Sequence, residues 1–254
     1  MNRIKKINQI REDLKIGSVS LGSWIQIPHP TIAEIIGNSG YDWVAIDLEH
    51  GSISVNQLPD LFRALELGDT LPLARLAQGQ AKDCKQALDA GAGGVIVPMI
   101  ESAEQLKLVR DSCYWPPAGN RGVGFSRANL FGKYFEVYAE EAQSPLLIAM
   151  IENINAVENL KEIVKVSGLD SLLIGPYDLS ASMGITADFE HPDFIAVLDK
   201  ILRISKSENI PCGIHVVNPS VDELSHRIAQ GYRFIAYSLD AAFLNSSVCR
   251  PSLK

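Results

Sequence analysis

Short apolar segments alternate with longer amphipathic segments along almost the whole of this chain. A short apolar run is typical of a β-strand, whereas apolar residues that recur at the helical period indicate a helix. The pattern predicts eight strands, at residues 19–25, 43–47, 71–75, 94–98, 146–151, 171–175, 212–216 and 234–238. It also predicts helices, at residues 32–39, 55–67, 81–90, 103–110, 156–166, 193–207, 221–229 and 239–248.

The predicted strands have the composition of a parallel sheet. Several of them, such as residues 94–97 and 171–174, are apolar at successive positions, and such strands are buried on both faces. Each intervening helix is long enough to return the chain to a parallel neighbour. Eight such units in 254 residues predict an α/β fold, a (β/α)8 TIM barrel that spans residues 1–254 as a single domain. An open doubly wound sheet is the alternative, but no G-x-G-x-x-G motif follows the first strand.

Composition and charge argue against two kinds of partner. The formal net charge is −7, and the only basic cluster, residues 3–6, is interpreted as a solvated terminus. We therefore expect no nucleic-acid partner, because a phosphate backbone requires clustered cations. No apolar run is long enough to span a bilayer, and residues 1–10 lack the apolar middle of a signal peptide. We therefore expect no membrane partner.

The cysteines indicate a reducing compartment. The chain contains Cys84, Cys113, Cys212 and Cys249, which are widely spaced and form no C-x-x-C pair. A zinc site or a redox motif is not expected, and free thiols fit a cytoplasmic protein. Cys212 lies in an apolar segment and is predicted to belong to the core.

One connection is much longer than the others. Residues 112–143, between the fourth and fifth predicted strands, contain paired prolines, several glycines and a polar, aromatic stretch. Connections of this length are usually functional, as lids or binding loops, and Arg121 and Arg127 would then meet anions. A subunit contact or a decorated loop is the alternative interpretation.

Two acidic residues follow neighbouring predicted strands. Glu152 comes directly after the fifth strand, and Asp178 follows the sixth. Because a barrel places the carboxyl ends of its strands at one rim, the two carboxylates should be lateral neighbours there. Such a pair, completed by water and substrate oxygens, is typical of a hard divalent cation. An acid after a strand can also cap the following helix, and the spacing leaves both interpretations open.

A cation and an imidazole are predicted at the same rim. Arg75 ends the third strand, where its guanidinium group can bind a carboxylate through two parallel hydrogen bonds. His50 follows the second strand and is a suitable general base, which Asp47 can orient; a loop-ordering role is the alternative for Asp47. His215, at the end of the seventh strand, is a further candidate for lining the pocket. No predicted strand carries a lysine, which argues against the imine route of a Schiff-base aldolase.

Several motifs together resemble a known family. They are IDLEHG at residues 46–51, QALDAGA at 86–92, VPM at 97–99, PP at 116–117 with RGVG at 121–124, and IGPYDLS at 174–180. In this order and spacing, over residues 17–240, they are similar to the HpcH/HpaI family of class II pyruvate aldolases. The resemblance implies a (β/α)8 barrel that forms a homohexamer, a trimer of dimers, with an exchanged C-terminal helix at residues 239–248.

The resemblance also implies an activity, the reversible cleavage of a 4-hydroxy-2-oxo acid, such as a 2-keto-3-deoxy acid, to pyruvate and an aldehyde. It implies that Glu152 and Asp178 hold Mg²⁺, Mn²⁺ or Co²⁺, which binds pyruvate and stabilises its enolate. Arg75 would bind the developing enolate oxygen. His50, oriented by Asp47, would handle the proton of the C4 hydroxyl group.

Other positions match the family less directly. Asp89 matches an acid that supports the histidine near a subunit boundary. Trp24, Gly175 and Pro176 match substrate-binding positions. Met150 departs from the pattern, because some members have glutamine there. A thioether cannot replace the donor and acceptor of an amide, so metal affinity or aldehyde specificity is expected to differ.

Two alternative functions stay open at the level of sequence. A related pyruvate-barrel lyase would act on a thioester or another oxo acid, although the chain shows no clear basic site for the phosphate tail of coenzyme A. A non-catalytic homologue would bind metal and oxo acid without turnover, and Met150 is its only support. The sequence does not specify the aldehyde, its stereochemistry, the native metal or the pathway.

Overall fold

The computed structural model describes residues 1–250 and confirms the predicted closed barrel of parallel strands. The strands follow one another around the barrel in chain order, and the last pairs with the first. They are β1 (Ser20–Ile25), β2 (Trp43–Asp47), β3 (Leu71–Arg75), β4 (Gly94–Val97), β5 (Leu146–Ile151), β6 (Ser171–Ile174), β7 (Cys212–Val216) and β8 (Phe234–Tyr237). Each strand begins and ends within one residue of the position predicted from the sequence. Residues 251–254, the end of the predicted domain, lie outside the described residues.

Helices surround the barrel, and three of them were not predicted: α1, α6 and α9. The helices are α1 (Arg3–Lys15), α2 (Pro30–Gly37), α3 (Leu58–Leu67), α4 (Ala81–Ala90), α5 (Ala103–Cys113), α6 (Phe135–Ala142), α7 (Ile154–Glu158), α8 (Leu160–Ile163), α9 (Pro176–Ser182), α10 (Pro192–Ser207), α11 (Val221–Gln230) and α12 (Asp240–Ser247). Across residues 1–250, no helix combines the length and the apolar character that crossing a membrane requires.

Helix α1 is the main departure from the predicted fold. Its Ile7, Ile10 and Leu14 are buried against the side chains inside the barrel, including those at the starts of several strands. This helix therefore closes the amino-terminal end of the barrel. The prediction of a solvated basic terminus is wrong for Arg3, whose Nε donates to Glu141 Oε1 at 2.7 Å.

The strands separate two layers of apolar side chains, as expected of this fold. One layer lies between the strands and the surrounding helices, and it contains Cys212, as predicted. The other fills the barrel and includes Trp43 and Phe234, whose rings stack with their centroids 4.3 Å apart. Because this interior packing supports the carboxyl ends of the strands, it holds the rim residues in place.

The long connection folds back on the protein. Arg121, which is buried, donates to Asp89 Oδ1 at 3.1 Å and to Tyr138 Oη at 3.0 Å. Arg127 donates to Glu66 Oε2 at 2.6 Å and to a backbone carbonyl of α4. Both guanidinium groups are thus engaged by the chain itself, so the predicted role of these arginines in anion binding is not supported.

The packing inside the barrel generates a stability prediction at Gly22. A Cβ atom at this position of β1 would lie 2.2 Å from ring atoms of Trp43, which is fully buried. We expect Gly22→Ala to lower the free energy of unfolding by about 1–3 kcal/mol, as overpacking does, in urea denaturation. Gly124→Ala is the control, since a Cβ there meets nothing within 4 Å. Equal stability of the two variants would contradict the packing.

Candidate active site

The carboxyl ends of the strands bring the predicted site residues other than Asp89 to one rim. In the sheet register, Asp47 lies opposite Arg75 across β2 and β3. Ile151 lies opposite Ile174 across β5 and β6, so Glu152 comes beside Gly175, the next residue of each strand. The neighbour relationship predicted for the strand ends is therefore present in the structure.

Arg75 is the central cation of this rim and is only 3% exposed. Its Nη1 donates to Asp47 Oδ1 at 3.0 Å, and its Nη2 forms an ion pair with Glu49. Its Nε has no hydrogen-bond partner among the described residues. Two carboxylates thus fix the guanidinium group and leave its Nε–H unpaired.

The carboxylate of Asp47 accepts several hydrogen bonds that stabilise the turn after β2. It accepts from Gln26 Nε2 at 2.8 Å and from the backbone N–H groups of Glu49 and His50 at 3.0 and 3.2 Å. Burial alone would raise the pKa of Asp47, but the charge of Arg75 and these hydrogen bonds hold it at about 2. Asp47 is therefore a fixed carboxylate that orders the loop carrying His50.

His50 itself presents an exposed side chain at the rim. Asp47 reaches the backbone of His50, and no hydrogen bond involves the His50 imidazole in the described part of the chain. The loop-ordering alternative for Asp47 is thus present in the structure. Orientation of the imidazole by Asp47 stays a prediction.

Glu49 is a site residue whose role could not be predicted from the sequence. Its carboxylate contacts Arg75 and is partly buried, with 24% of the side chain exposed. Burial raises its pKa, against the lowering effect of the Arg75 charge. The only signal in the sequence was its place between Asp47 and His50, because pairing with Arg75 depends on the neighbouring strand.

Glu152 carries a carboxylate that the protein only half satisfies. It is 2% exposed, and its Oε1 accepts from the backbone N–H of Met99 at 3.3 Å. Its Oε2 is buried with no hydrogen-bond partner in residues 1–250. Burial raises its pKa to about 7 despite the opposing charge of Arg75, and the nearby carboxylates of Asp178 and Glu49 act in the same direction as burial.

The donor set at this point fits a hard divalent cation. Asp178 lies exposed in the first turn of α9, close enough to Glu152 to affect its pKa. Within residues 1–250 no group of three or more His, Cys, Asp or Glu side chains is arranged to hold a metal. Mg²⁺ commonly binds through one or two carboxylates and completes its shell with water and substrate. The unpartnered oxygen of Glu152 is therefore what such an ion would use.

The remaining predicted pocket residues lie around these carboxylates. A Cβ at Gly175 would lie 3.1 Å from Glu152 Oε2 and 3.4 Å from the terminal methyl of Met150, so the glycine leaves the carboxylate its space. Pro176 begins α9 directly after it. Met150 is buried inside the barrel below this point, where it fills space and supplies no amide.

Trp24 and His215 form the opposite side of the barrel mouth. Their rings lie 5.0 Å apart, and Trp24 is 3% exposed. The Nε2 of His215 lies 3.2 Å from the backbone oxygen of Ser238, and burial lowers the pKa of His215 to about 4. His215 thus lines this mouth as a neutral imidazole at neutral pH.

Asp89 does not join the rim within a single chain. It lies near the end of α4, and this helix runs from the carboxyl end of β3 back to the start of β4. Its carboxylate pairs with Arg121 of the long connection. A contribution of Asp89 to His50 would therefore have to come from another copy of the chain.

Comparison with a family model gives a match over most of the chain. Residues 20–246 match the HpcH/HpaI aldolase/citrate lyase family. The match begins at β1 and ends within α12, so it includes all eight strands and every rim residue described above.

Individual proteins agree with this match. A hydroxypyruvate/pyruvate aldolase of Roseobacter denitrificans is 35% identical over 94% of this chain and 93% of its own length. A 2-keto-3-deoxy-L-rhamnonate aldolase of Klebsiella pneumoniae is 34% identical over 96% of this chain and 91% of its own length. The crystal structure of an HpcH/HpaI aldolase/citrate lyase family protein from Burkholderia cenocepacia superposes with a TM-score of 0.89 at 28% identity, covering 94% of this chain and 96% of that chain.

The buried carboxyl group of Glu152 makes the stability of the metal-free protein depend on pH. Below pH 4.5, its ordinary pKa, the group is protonated in both the folded and the unfolded chain. Between pH 4.5 and about 7 only the unfolded chain loses the proton, so the free energy of unfolding falls by about 1.4 kcal/mol per pH unit. Above that window the loss, on the order of 3 kcal/mol, is constant.

We therefore expect Glu152→Gln, in the presence of a chelator, to be more stable than the native protein at pH 8 but not at pH 4.5. Urea denaturation at the two pH values measures this difference. Glu158→Gln, at an exposed position of α7, is the matched control and should show no such gain. A Glu152→Gln variant without extra stability at pH 8 would show that the buried carboxylate is not destabilising.

Proposed function

The chain belongs to the HpcH/HpaI aldolase/citrate lyase family, and on that premise we propose that it is a divalent-metal-dependent aldolase. It would reversibly cleave a 4-hydroxy-2-oxo acid, a 2-keto-3-deoxy acid, to pyruvate and an aldehyde. One observation carries the proposal: the unpartnered, buried oxygen of Glu152 shares a rim with the buried guanidinium group of Arg75. A cation site and a fixed positive charge at one pocket suit a substrate that develops negative charge on oxygen.

Glu152 and Asp178 would hold the ion, with Mg²⁺, Mn²⁺ and Co²⁺ as the candidates. When bound, such an ion supplies electrophilic stabilisation of the negative charge that develops on the keto oxygen. Gly175 and Pro176 border the carboxylate of Glu152 without filling the space above it. Trp24, buried beside His215, would form the opposite wall.

Arg75 would act on the same oxygen from the other side. Asp47 and Glu49 hold two of its nitrogens, so the guanidinium group is oriented before the substrate enters. Its Nε–H, which has no hydrogen-bond partner among the described residues, would be available to a ligand. A preoriented donor stabilises charge in the transition state without a cost of reorganisation at that moment.

His50 would handle the proton of the C4 hydroxyl group. The imidazole takes that proton while the bond between C3 and C4 breaks, and C4 leaves as the aldehyde carbonyl. The electron pair of the broken bond moves into the enolate of pyruvate, and protonation at C3 then gives the methyl group. In the synthetic direction the imidazole returns the proton to the new alkoxide.

Exchange of the pyruvate methyl protons in deuterated water tests the enolate half of this proposal without any aldehyde. With Mn²⁺ we expect exchange by NMR and pyruvate release from at least one 4-hydroxy-2-oxo acid, both abolished by a chelator. Arg75→Ala and Arg75→Lys should lower both rates at least a hundredfold. The lysine ammonium group cannot reproduce the planar set of N–H donors of the guanidinium group. Arg63→Ala, which loses only an exposed ion pair, is the control. Metal-independent exchange, or unchanged Arg75 variants, would refute the proposal.

We also propose a cytoplasmic homohexamer, a trimer of dimers with α12 exchanged between subunits. The free thiols and the absence of C-x-x-C spacing support the compartment. The long connection exposes Phe125, Phe131 and Val137, which supports the assembly because large exposed apolar groups favour association. Asp89 would then support the His50 imidazole of another copy.

Mixed assemblies test the contribution of Asp89. His50→Ala and Asp89→Ala should each be inactive alone, whereas their co-expression should restore roughly one site in four, because some sites combine the native residue of each variant. His50→Ala co-expressed with Arg75→Ala should recover nothing, since both residues come from one chain. The mass of the assembly by light scattering accompanies the assay. A monomer, or no recovery with the first pair, would contradict the shared site.

A further inference from the structure

A second cleft opens at the barrel mouth beside the proposed pyruvate site. It has a volume of about 430 Å³ and lies between the loops that follow β3 and β4, where Glu49, Gln78, Gln80, Met99 and Gln105 line it. Glu49 also contacts Arg75, and the backbone N–H of Met99 donates to Glu152. The cleft therefore adjoins both the cation and the carboxylate of the site, and it is large enough for a small organic group.

The lining of this cleft contains no cation. Among the described residues that border it, Glu49 is the only ionisable one and no lysine or arginine is present. Arg75 lies behind Glu49 and is already paired with Asp47 and Glu49. A ligand that brought its own carboxylate here would face the carboxylate of Glu49, and no cation of the cleft lining would compensate it.

The lining is instead rich in amides. Gln105 is fixed, because its Nε2 donates to the Met99 carbonyl and its Oε1 accepts from the Glu101 N–H, both at 2.9 Å. Gln80 Nε2 donates to Gln78 Oε1 at 3.0 Å, which leaves the amide donors of Gln78 and the amide oxygen of Gln80 available. Groups that both donate and accept are complementary to hydroxyl groups.

We infer that this cleft binds the aldehyde end of the substrate and selects aldehydes that are uncharged and carry hydroxyl groups, over aldehydes that carry a carboxylate. The inference rests on the proposed aldolase function, which places pyruvate between Arg75 and Glu152. The substrate of this site would then be an oxo acid whose only carboxylate is the one at the pyruvate end.

Matched pairs of aldehydes test this selectivity in the synthetic direction, with pyruvate as the donor and Mn²⁺ present. Glyceraldehyde and tartronate semialdehyde differ only in a terminal CH₂OH or carboxylate, and glycolaldehyde and glyoxylate form a second such pair. We expect kcat/KM to be at least tenfold higher for the neutral member of each pair. Equal or higher kcat/KM for the acidic members would overturn the inference.

Charge variants link the selectivity to the cleft itself. Gln78→Lys, and as a second variant Gln80→Lys, should shift the neutral-to-acidic ratio of kcat/KM at least tenfold toward the acidic aldehyde. Gln9→Lys, at an exposed position of α1 on the opposite end of the barrel, is the control and should leave the ratio unchanged. A ratio that stays the same in both cleft variants would mean that another part of the molecule sets the selectivity. That result would refute the inference.

Methyl-proton exchange of pyruvate by the native protein tests the aldolase function separately from the role of the cleft. The exchange needs no aldehyde. Its absence would refute the proposed aldolase function, whereas exchange together with a preference for acidic aldehydes would refute only the role of the cleft.

Discussion

The ion pair between Arg75 and Asp47 is the contact on which the rest of the site depends. Both side chains are almost fully buried, and they face each other from adjacent strand ends. A buried charge is tolerated only when it is paired and hydrogen-bonded. Removal of either residue would therefore leave the other as an unpaired buried charge, which is strongly destabilising. The pair also fixes the turn after β2, because Asp47 accepts from the backbone of Glu49 and His50.

The negative charge around this pair explains why the rim is suited to a divalent cation. The carboxylates of Asp47, Glu49, Glu152 and Asp178 share the rim with the guanidinium group of Arg75. Arg75 is committed to Asp47 and Glu49, so Glu152 has no paired cation among the described residues. Burial raises its pKa to about 7, and the neighbouring carboxylates act in the same direction. A divalent cation would relieve that excess, and it would do so where the keto oxygen of an oxo acid can also bind. In the glutamine-lined cleft the carboxylate of Glu49 is the charged group of the lining, and it disfavours a second carboxylate there.

Much of the fold followed from the sequence because parallel strands buried on both faces are continuous apolar runs. Helix α1 was missed for a physical reason. Its basic residues resemble a solvated terminus, and its Ile7, Ile10 and Leu14 find their partners only inside the closed barrel. The rim residues Arg75, Glu152 and Asp178 were predictable, since each lies at a strand end or shortly after one. The pairing of Glu49 with Arg75 was not, because it depends on which strands become neighbours.

The central claim is that Arg75 and the carboxylates of Glu152 and Asp178 bind one and the same ligand from two sides. Titration of the protein with Mn²⁺ in the presence and absence of pyruvate tests this directly, because two ligands that share a site are thermodynamically coupled. We predict that pyruvate lowers the Kd for Mn²⁺ at least tenfold in the native protein and that Arg75→Lys loses this gain. An affinity for Mn²⁺ that pyruvate leaves unchanged in the native protein would contradict the account.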